Sequence, residues 1–213
     1  MSCMVDTVPN ARWARLGNVR PVATTWAFGY GSLVSPASLG ATLGRPVVPG
    51  EGWAEAVLHG YGRRWNYGIG HHRGRWTDAD GTERTVTIVA LGLVAAERES
   101  ANGVVVAVDD AELARLDHRE RHYDRVDVTG LVDVVGAGPS SAHGERIVTY
   151  VPRRSAIERY ESARDAGAAA IEQRYWDLVE GAFVALGPDR LERYRRTTSP
   201  PDVPVLPVVR EPR

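Results

Sequence analysis

Runs rich in Val, Ile, Leu and Tyr recur at about 26–31, 54–61, 85–94, 103–108, 125–135 and 146–151, separated by Gly, Pro, Asp or Asn. Short runs of this kind bounded by turn formers read as strands, and their close spacing predicts a sheet that is mostly local or antiparallel. One stretch inside this β region has another period. Asp109–Glu120 (DDAELARLDHRE) carries Leu113 and Leu116 behind two acids suited to a helix N-terminus and cap. From about 155 to 196 the pattern is helical, with Ile171, Tyr175, Leu178, Val179 and Ala182 at three- and four-residue steps and a break at Gly187-Pro188 before a last short helix. Residues 1–24 lack periodicity and read as a tail whose one apolar anchor is Trp13; residues 199–213 hold several prolines and read as an extended arm. The expectation is one α+β domain over residues 25–198 between that tail and that arm, without internal repeats.

Composition narrows the function classes without choosing one. With 213 residues, 43% of them hydrophobic, the chain can bury one sizeable core. A formal net charge of −1 gives no pull toward nucleic acid or an anionic membrane, and all 26 basic residues are arginine, which excludes lysine Schiff-base chemistry. The one cysteine, Cys3, lies in the tail, so neither an internal disulfide nor a cysteine nucleophile is expected. No charged-then-apolar start or long apolar run appears, which makes cytoplasm the default expectation and leaves membrane insertion unsupported.

Two features carry candidate chemistry. At about 100° per residue, Glu120 falls roughly 20° from Leu113 and about 40° from Leu116, in the middle of the helix's apolar stripe. Facing inward, it would need partners or a cavity, and burial would push its pKa toward the range useful for moving protons. Rotated, the same helix would leave Glu120 in solvent. The second feature is Trp26–Leu33 (WAFGYGSL), an apolar run stopped by Gly29 and Gly31 around Tyr30. Glycines there let backbone amides approach an oxygen closely, as in an anion cradle or oxyanion hole; an ordinary strand-to-loop turn reads the same way. The third glycine of a dinucleotide fingerprint is missing, no GK[ST] follows, and Ser32 lies outside a G-x-S-x-G elbow.

Metal binding is the rival reading of this helix. His118 and His122 stand four apart, but in H-x-E-x-H order, and they project about 140° and 180° from Leu113, away from Glu120. They read as solvated. His71-His72 sits among Gly and Arg like a loop, and neighbouring strand residues cannot face one way. No metal site is expected.

Taken together, Phe28–Leu33 (FGYGSL), Asn102–Val108 (NGVVVAV) followed by Leu116-Asp117-His118-Arg119-Glu120 and Tyr123, Arg146–Tyr150 (RIVTY) and Tyr175–Ala182 (YWDLVEGA) resemble, in order and spacing, the blocks of the γ-glutamylcyclotransferase superfamily. The spelling is closest to its ChaC-like and AIG2-like branch, and Leu58–Trp65 (LHGYGRRW) is similar to a further segment of that branch. The resemblance spans about Trp26 to Thr198. Val34-Ser35-Pro36 departs from the bulky residue expected after the loop, and residues 68–81 match no block of the family.

The resemblance implies a small mixed, largely antiparallel β-barrel with flanking helices and a pocket at one end. It implies Glu120 as the catalytic general base and acid, with Gly29, Tyr30, Gly31, Ser32, Leu33, Tyr123 and Tyr150 around a small-molecule γ-glutamyl substrate. The implied reaction folds the substrate's α-amine onto its γ-carbonyl and releases 5-oxoproline with a free amine, amino acid or peptide; no cofactor is expected. Arg63 and Arg64 admit either a substrate carboxylate or ordinary salt bridging. Glutathione and γ-glutamyl amino acids lead the candidate substrates. The competing class is a non-catalytic binding or regulatory protein on the same scaffold, against which an inward acid argues, because it would repel an anionic ligand.

Overall fold

A computed structural model describes residues 25–135 and 145–212; the expected tail with Trp13 lies outside them. The strands are β1 (Thr25–Gly29), β2 (Trp53–Gly68), β3 (His72–Thr77), β4 (Glu83–Val108), β5 (Tyr123–Asp127), β6 (Val132–Val134), β7 (Arg146–Pro152), β8 (Ala169–Glu172), β9 (Val205–Leu206) and β10 (Val209–Pro212). The helices are α1 (Pro36–Leu43), α2 (Asp110–Arg119), α3 (Arg154–Asp165), α4 (Gln173–Leu186) and α5 (Pro188–Thr197). Six of the nine strand pairings among the described residues are antiparallel; β1 with β7, β4 with β8, and β8 with β9 run parallel.

The sheet is open. Its main path runs β10-β3-β4-β1-β7-β5, with β2 and β6, and β8 and β9, branching from β4. The closed barrel implied by the sequence is therefore replaced by a bent, branched sheet. Its hub is β4, whose 26 residues join the two separate strands expected at 85–94 and 103–108. β4 pairs with the 16-residue β2 along most of its length, with irregularities between His59 and Tyr61 and between Trp65 and Tyr67. Such breaks in register bend a ribbon and let one strand serve two neighbours.

Two further expectations change. Residues 169–172 form β8, inside the run that reads as helix; Ile171 is wholly buried on this strand and not on a helix stripe. A four-residue apolar run is too short for its period to separate strand from helix, and pairing with β4 and β9 decides it. His72 opens β3, which is paired with β4 on one side and β10 on the other, where a loop is expected. The break at Gly187-Pro188 stands between α4 and α5 as expected.

α2 starts as its sequence dictates. Asp109 accepts from the Glu112 amide (2.7 Å) while the Glu112 carboxylate accepts from the Asp109 amide (3.2 Å), a reciprocal capping box. Glu112 is buried and also receives Arg45 from the loop after α1, which ties the helix start to β4 through Ala107 O (2.9 Å). Leu116 is wholly buried in the core with Phe28, Leu39, Leu58 and Leu93. Each fully buried apolar side chain of that size stabilises the fold by about 1.5–3 kcal/mol, so cap and core together fix where the far end of α2 points.

Candidate active site

β1 delivers a loop to the edge of a cavity. After Gly29 the chain passes Tyr30 and Gly31 and tightens into a 3-10 turn over Ser32–Val34, closed by the Val34 amide donating to Gly31 O (2.9 Å). The amides of Ser32 and Leu33 precede the first bond of that turn and have no acceptor within it. Gly31 must be small for a local reason: a Cβ there would meet the Tyr175 hydroxyl at 3.2 Å and Leu91 at 3.7 Å.

The other wall comes from the end of α2. Glu120 is the residue after the last helical one, with φ −92° and ψ 21°, its amide still donating to Leu116 O (2.8 Å). Its side chain is only 15% exposed. Three residues on, Tyr123 starts β5 and donates to Leu91 O (3.2 Å). Tyr30, Gly31, Ser32, Leu33, Leu91, Glu120, Tyr123, Tyr150 and Tyr175 line one narrow cavity with about 40 Å³ of room, less than an ordinary ligand pocket.

Of the residues expected at the site, Tyr30, Gly31, Ser32, Leu33, Glu120, Tyr123 and Tyr150 share this cavity. Gly29 does not line it: a Cβ there would sit 2.7 Å from Leu33 Cβ, so its smallness lets the turn fold back on the end of β1, while Gly103 on β4 leaves room for its carbonyl. Leu91 and Tyr175 complete the lining, delivered by β4 and α4. Tyr175 stands in a sequence block named above, yet nothing in its helical spacing says that its hydroxyl meets Gly31.

Burial sets the electrostatics. Desolvation raises the Glu120 pKa above the ordinary carboxylate value, opposed by the guanidinium of Arg119. Burial also raises Tyr30 and Tyr123, and raises Tyr175 to about 12, with the Glu120 charge adding to each. These phenols stay protonated near neutrality. Their protons are largely engaged inside the protein: Tyr30 donates to Tyr150 O (2.8 Å) and Tyr150 to Asp117 Oδ1 (2.9 Å). Tyr150 is thus held by α2 as well as lining the cavity.

Arg119, not singled out by its sequence position, joins the two walls. Its Nε lies 3.1 Å from Glu120 Oε1, its Nη2 donates to Ser32 Oγ (2.9 Å) and Ser38 Oγ (3.1 Å), and its Nη1 donates to Ser38 O (3.0 Å) and to Thr42. One guanidinium therefore fastens the loop, α1 and the acid together.

The arginines weighed from sequence go elsewhere. Arg63 is wholly buried, donating to the Asn102 carbonyl and to Thr198 Oγ1 (3.0 Å), its guanidinium against the stacked rings of Phe183 and Tyr194; Arg64 pairs with Glu99. Neither lines the cavity. His118 is exposed, as read, but His122 is half-buried and stacks on His71, with ring centroids 4.9 Å apart. The expectation that His122 is solvated is therefore corrected: β3, unforeseen in the sequence, carries His71 and His72 to it. No group of three or more His, Cys, Asp or Glu with metal-binding geometry occurs among the described residues.

No family model and no curated protein matches the chain. Solved structures do. One described as a γ-glutamyl cyclotransferase aligns over 82% of this chain and 88% of its own, with 14% identity and a TM-score of 0.52. The fold is that of the γ-glutamyl cyclotransferases. An uncharacterized protein from Homo sapiens aligns over the same shares at 16% identity and TM-score 0.49. A protein from Arabidopsis thaliana is 26% identical with a TM-score of 0.39 over 64% of each chain, so this chain spans less than two thirds of that relative's length. No helix among the described residues is long and apolar enough to cross a membrane.

Proposed function

We propose that the protein is a γ-glutamylcyclotransferase-type enzyme of the ChaC-like and AIG2-like branch, which cyclises a γ-glutamyl compound and releases 5-oxoproline. The observation that carries this reading is that Glu120, a largely buried acid, lines one small cavity together with Ser32 and Leu33, whose amides have no acceptor within their turn.

The substrate supplies both reacting groups. Glu120, ionised, takes a proton from the α-ammonium; the freed amine attacks the γ-carbonyl carbon, forming the lactam C–N bond. The oxyanion that develops is held by the turn amides. Collapse breaks the original amide C–N bond as Glu120 returns its proton to the departing nitrogen; the ring nitrogen, which still carries two hydrogens, gives up the second to the freed amine, leaving 5-oxoproline and a protonated amine, amino acid or peptide. Folding the chain into a near-attack ring is worth several kcal/mol in such intramolecular reactions, and a positioned acid-base group on the order of 10²–10⁴ in rate. Glutathione and γ-glutamyl amino acids are the leading substrates.

Purified protein incubated with glutathione, γ-glutamyl amino acids and γ-glutamyl amines tests this by 5-oxoproline release. Turnover of at least one compound, with Glu120→Gln slower by on the order of 10²–10⁴ and still folded, is the expected outcome. Silence across the panel, or an active Glu120→Gln protein, ends the proposal and favours a binding role.

A further inference from the structure

Beside the cavity lies a cluster that the proposed chemistry does not use. His122, two residues beyond Glu120, stacks on His71 at 4.9 Å with an interplanar angle of 17°, and His71 meets His72 at 4.5 Å. His71 Nδ1, His72 Nδ1 and His122 Nε2 are all buried and without a hydrogen-bond partner among the described residues. An unmet buried polar atom is costly, so three in one cluster ask for a ligand.

The field around them is positive. His71 is pushed down to about 4 by burial and then by His72, His122, Arg121 and Arg210; His122 is lowered by burial and by Arg121, Arg153 and Arg159. Arg153 pairs with Asp124 and Arg210 with Glu172. Arg121 and Arg159 have no carboxylate partner among the described residues: Arg121 donates weakly to His118 O (3.4 Å), and Arg159 donates to Gly68 O (2.8 Å) with its guanidinium against Gly70. A cation is disfavoured in such surroundings, whereas an anion meets both the unpaired guanidinium charges and the unmet imidazole nitrogens.

The cluster is coupled to the cavity through two tyrosines. Tyr67, which precedes Gly68 on β2, stacks on the cavity residue Tyr123 with ring centroids 4.2 Å apart, and its hydroxyl feels the charge of Glu120 as well as those of Arg159, Arg121 and Arg153.

We propose that His71, His72 and His122, with Arg121 and Arg159, form a binding site for an oxyanion, a carboxylate or phosphate group, next to the candidate active site. The anion is either borne on the departing half of the substrate, an arm that rests on the proposed function, or bound free.

The test follows the histidine ring signals by NMR in the full-length protein. Inorganic phosphate probes the free anion. γ-Glutamylglycine against γ-glutamylmethylamide, which differ by one carboxylate, probes the substrate-borne one and is added to the Glu120→Gln protein so that nothing turns over. Shifts of the His71 and His122 signals, with their pKa values rising by about one unit on saturation and the apparent Kd weakened about tenfold by Arg121→Gln, are expected with phosphate or with the dipeptide. A response to the dipeptide and not to the methylamide assigns the anion to the substrate; a response to phosphate alone assigns it to a free ion. No response to any of the three, or a response that neither Arg121→Gln nor Arg159→Gln alters, overturns the site. 5-Oxoproline release by the unaltered protein is scored separately, so either idea can fail alone.

Discussion

Arg119 and Glu120 are consecutive in the chain yet form an ion pair, Nε to Oε1 at 3.1 Å. Neighbours within a helix project about 100° apart, and these two meet because Glu120 has already left the helix at φ −92°, ψ 21°. The pair sets two opposed influences on one acid: burial raises its pKa and the guanidinium lowers it. Arg119→Leu should remove the second and leave the first, moving the acid limb of the pH–rate profile to higher pH and lowering kcat more than it raises KM. Arg119→Lys should restore part of that shift. An acid limb that does not move in Arg119→Leu would mean that the guanidinium only holds Ser32, Ser38 and Thr42.

The same raised pKa predicts a stability signature. A carboxyl whose folded pKa lies above its unfolded value favours the protonated form on folding, so its favourable contribution is complete below the ordinary carboxylate value and disappears as pH rises through the folded value. Glu120→Gln, permanently neutral, should therefore be more stable than the natural protein near neutrality and equal to it in acid. Urea midpoints measured across pH 4 to 8 check this; a variant less stable at every pH would show that the carboxylate is held by more than Arg119.

Gly31 and Tyr175 should be coupled. Gly31→Ala brings a methyl to 3.2 Å from the Tyr175 hydroxyl, so either the loop or α4 must shift, and loss of catalytic alignment of this kind can reach about a hundredfold. Tyr175→Phe removes the obstructing atom. Relative to Gly31→Ala alone, the double variant should recover activity, giving an interaction energy of about 0.5–3 kcal/mol in a double-mutant cycle. Strict additivity would refute the contact.

Arg63 predicts a fold effect and no site effect of its own. It is wholly buried against the stacked rings of Phe183 and Tyr194, bonded to Asn102 and Thr198, and burial lowers its pKa to about 10. Arg63→Ala should cost about 3–5 kcal/mol through the cavity left and the partners orphaned, measured by urea unfolding. At a temperature where the variant stays folded, KM for the substrate should be within about twofold of normal, a change worth under 0.5 kcal/mol.

The parts of the site built from local pattern were legible in the chain. Leu113 and Leu116 allowed Glu120 to face inward and the paired glycines allowed a cradle, but helix period and turn chemistry alone left a rotated helix and an ordinary turn equally open. What long-range pairing decides was not legible. Arg119 could be recognised only once α1 and the Ser32 turn were seen against α2; Tyr175 only once α4 was laid over Gly31. His71 and His72 sat in a stretch with no readable period and were brought to His122 at the start of β3, a strand held by β4 on one side and β10 on the other. Ala169–Glu172 carried an apolar spacing that fitted helix and strand alike, and only the open side of β4 selected between them. The closed barrel failed for the same reason: closure is a property of where strands end, and β4 spreads its partners over branches instead.

The length of β4 also bears on how the chain acquires its shape. This one strand pairs with β1 about 80 residues earlier at Thr25↔Val108 and with β8 about 80 residues later at Thr87↔Ala169, and β3 beside it waits for β10 at Arg75↔Val209. So large a share of distant partners places the protein among slow folders. During synthesis the first half must keep its apolar edges bare until the second half emerges, which makes this interval the time when the molecule is most exposed to misassociation and most dependent on chaperones.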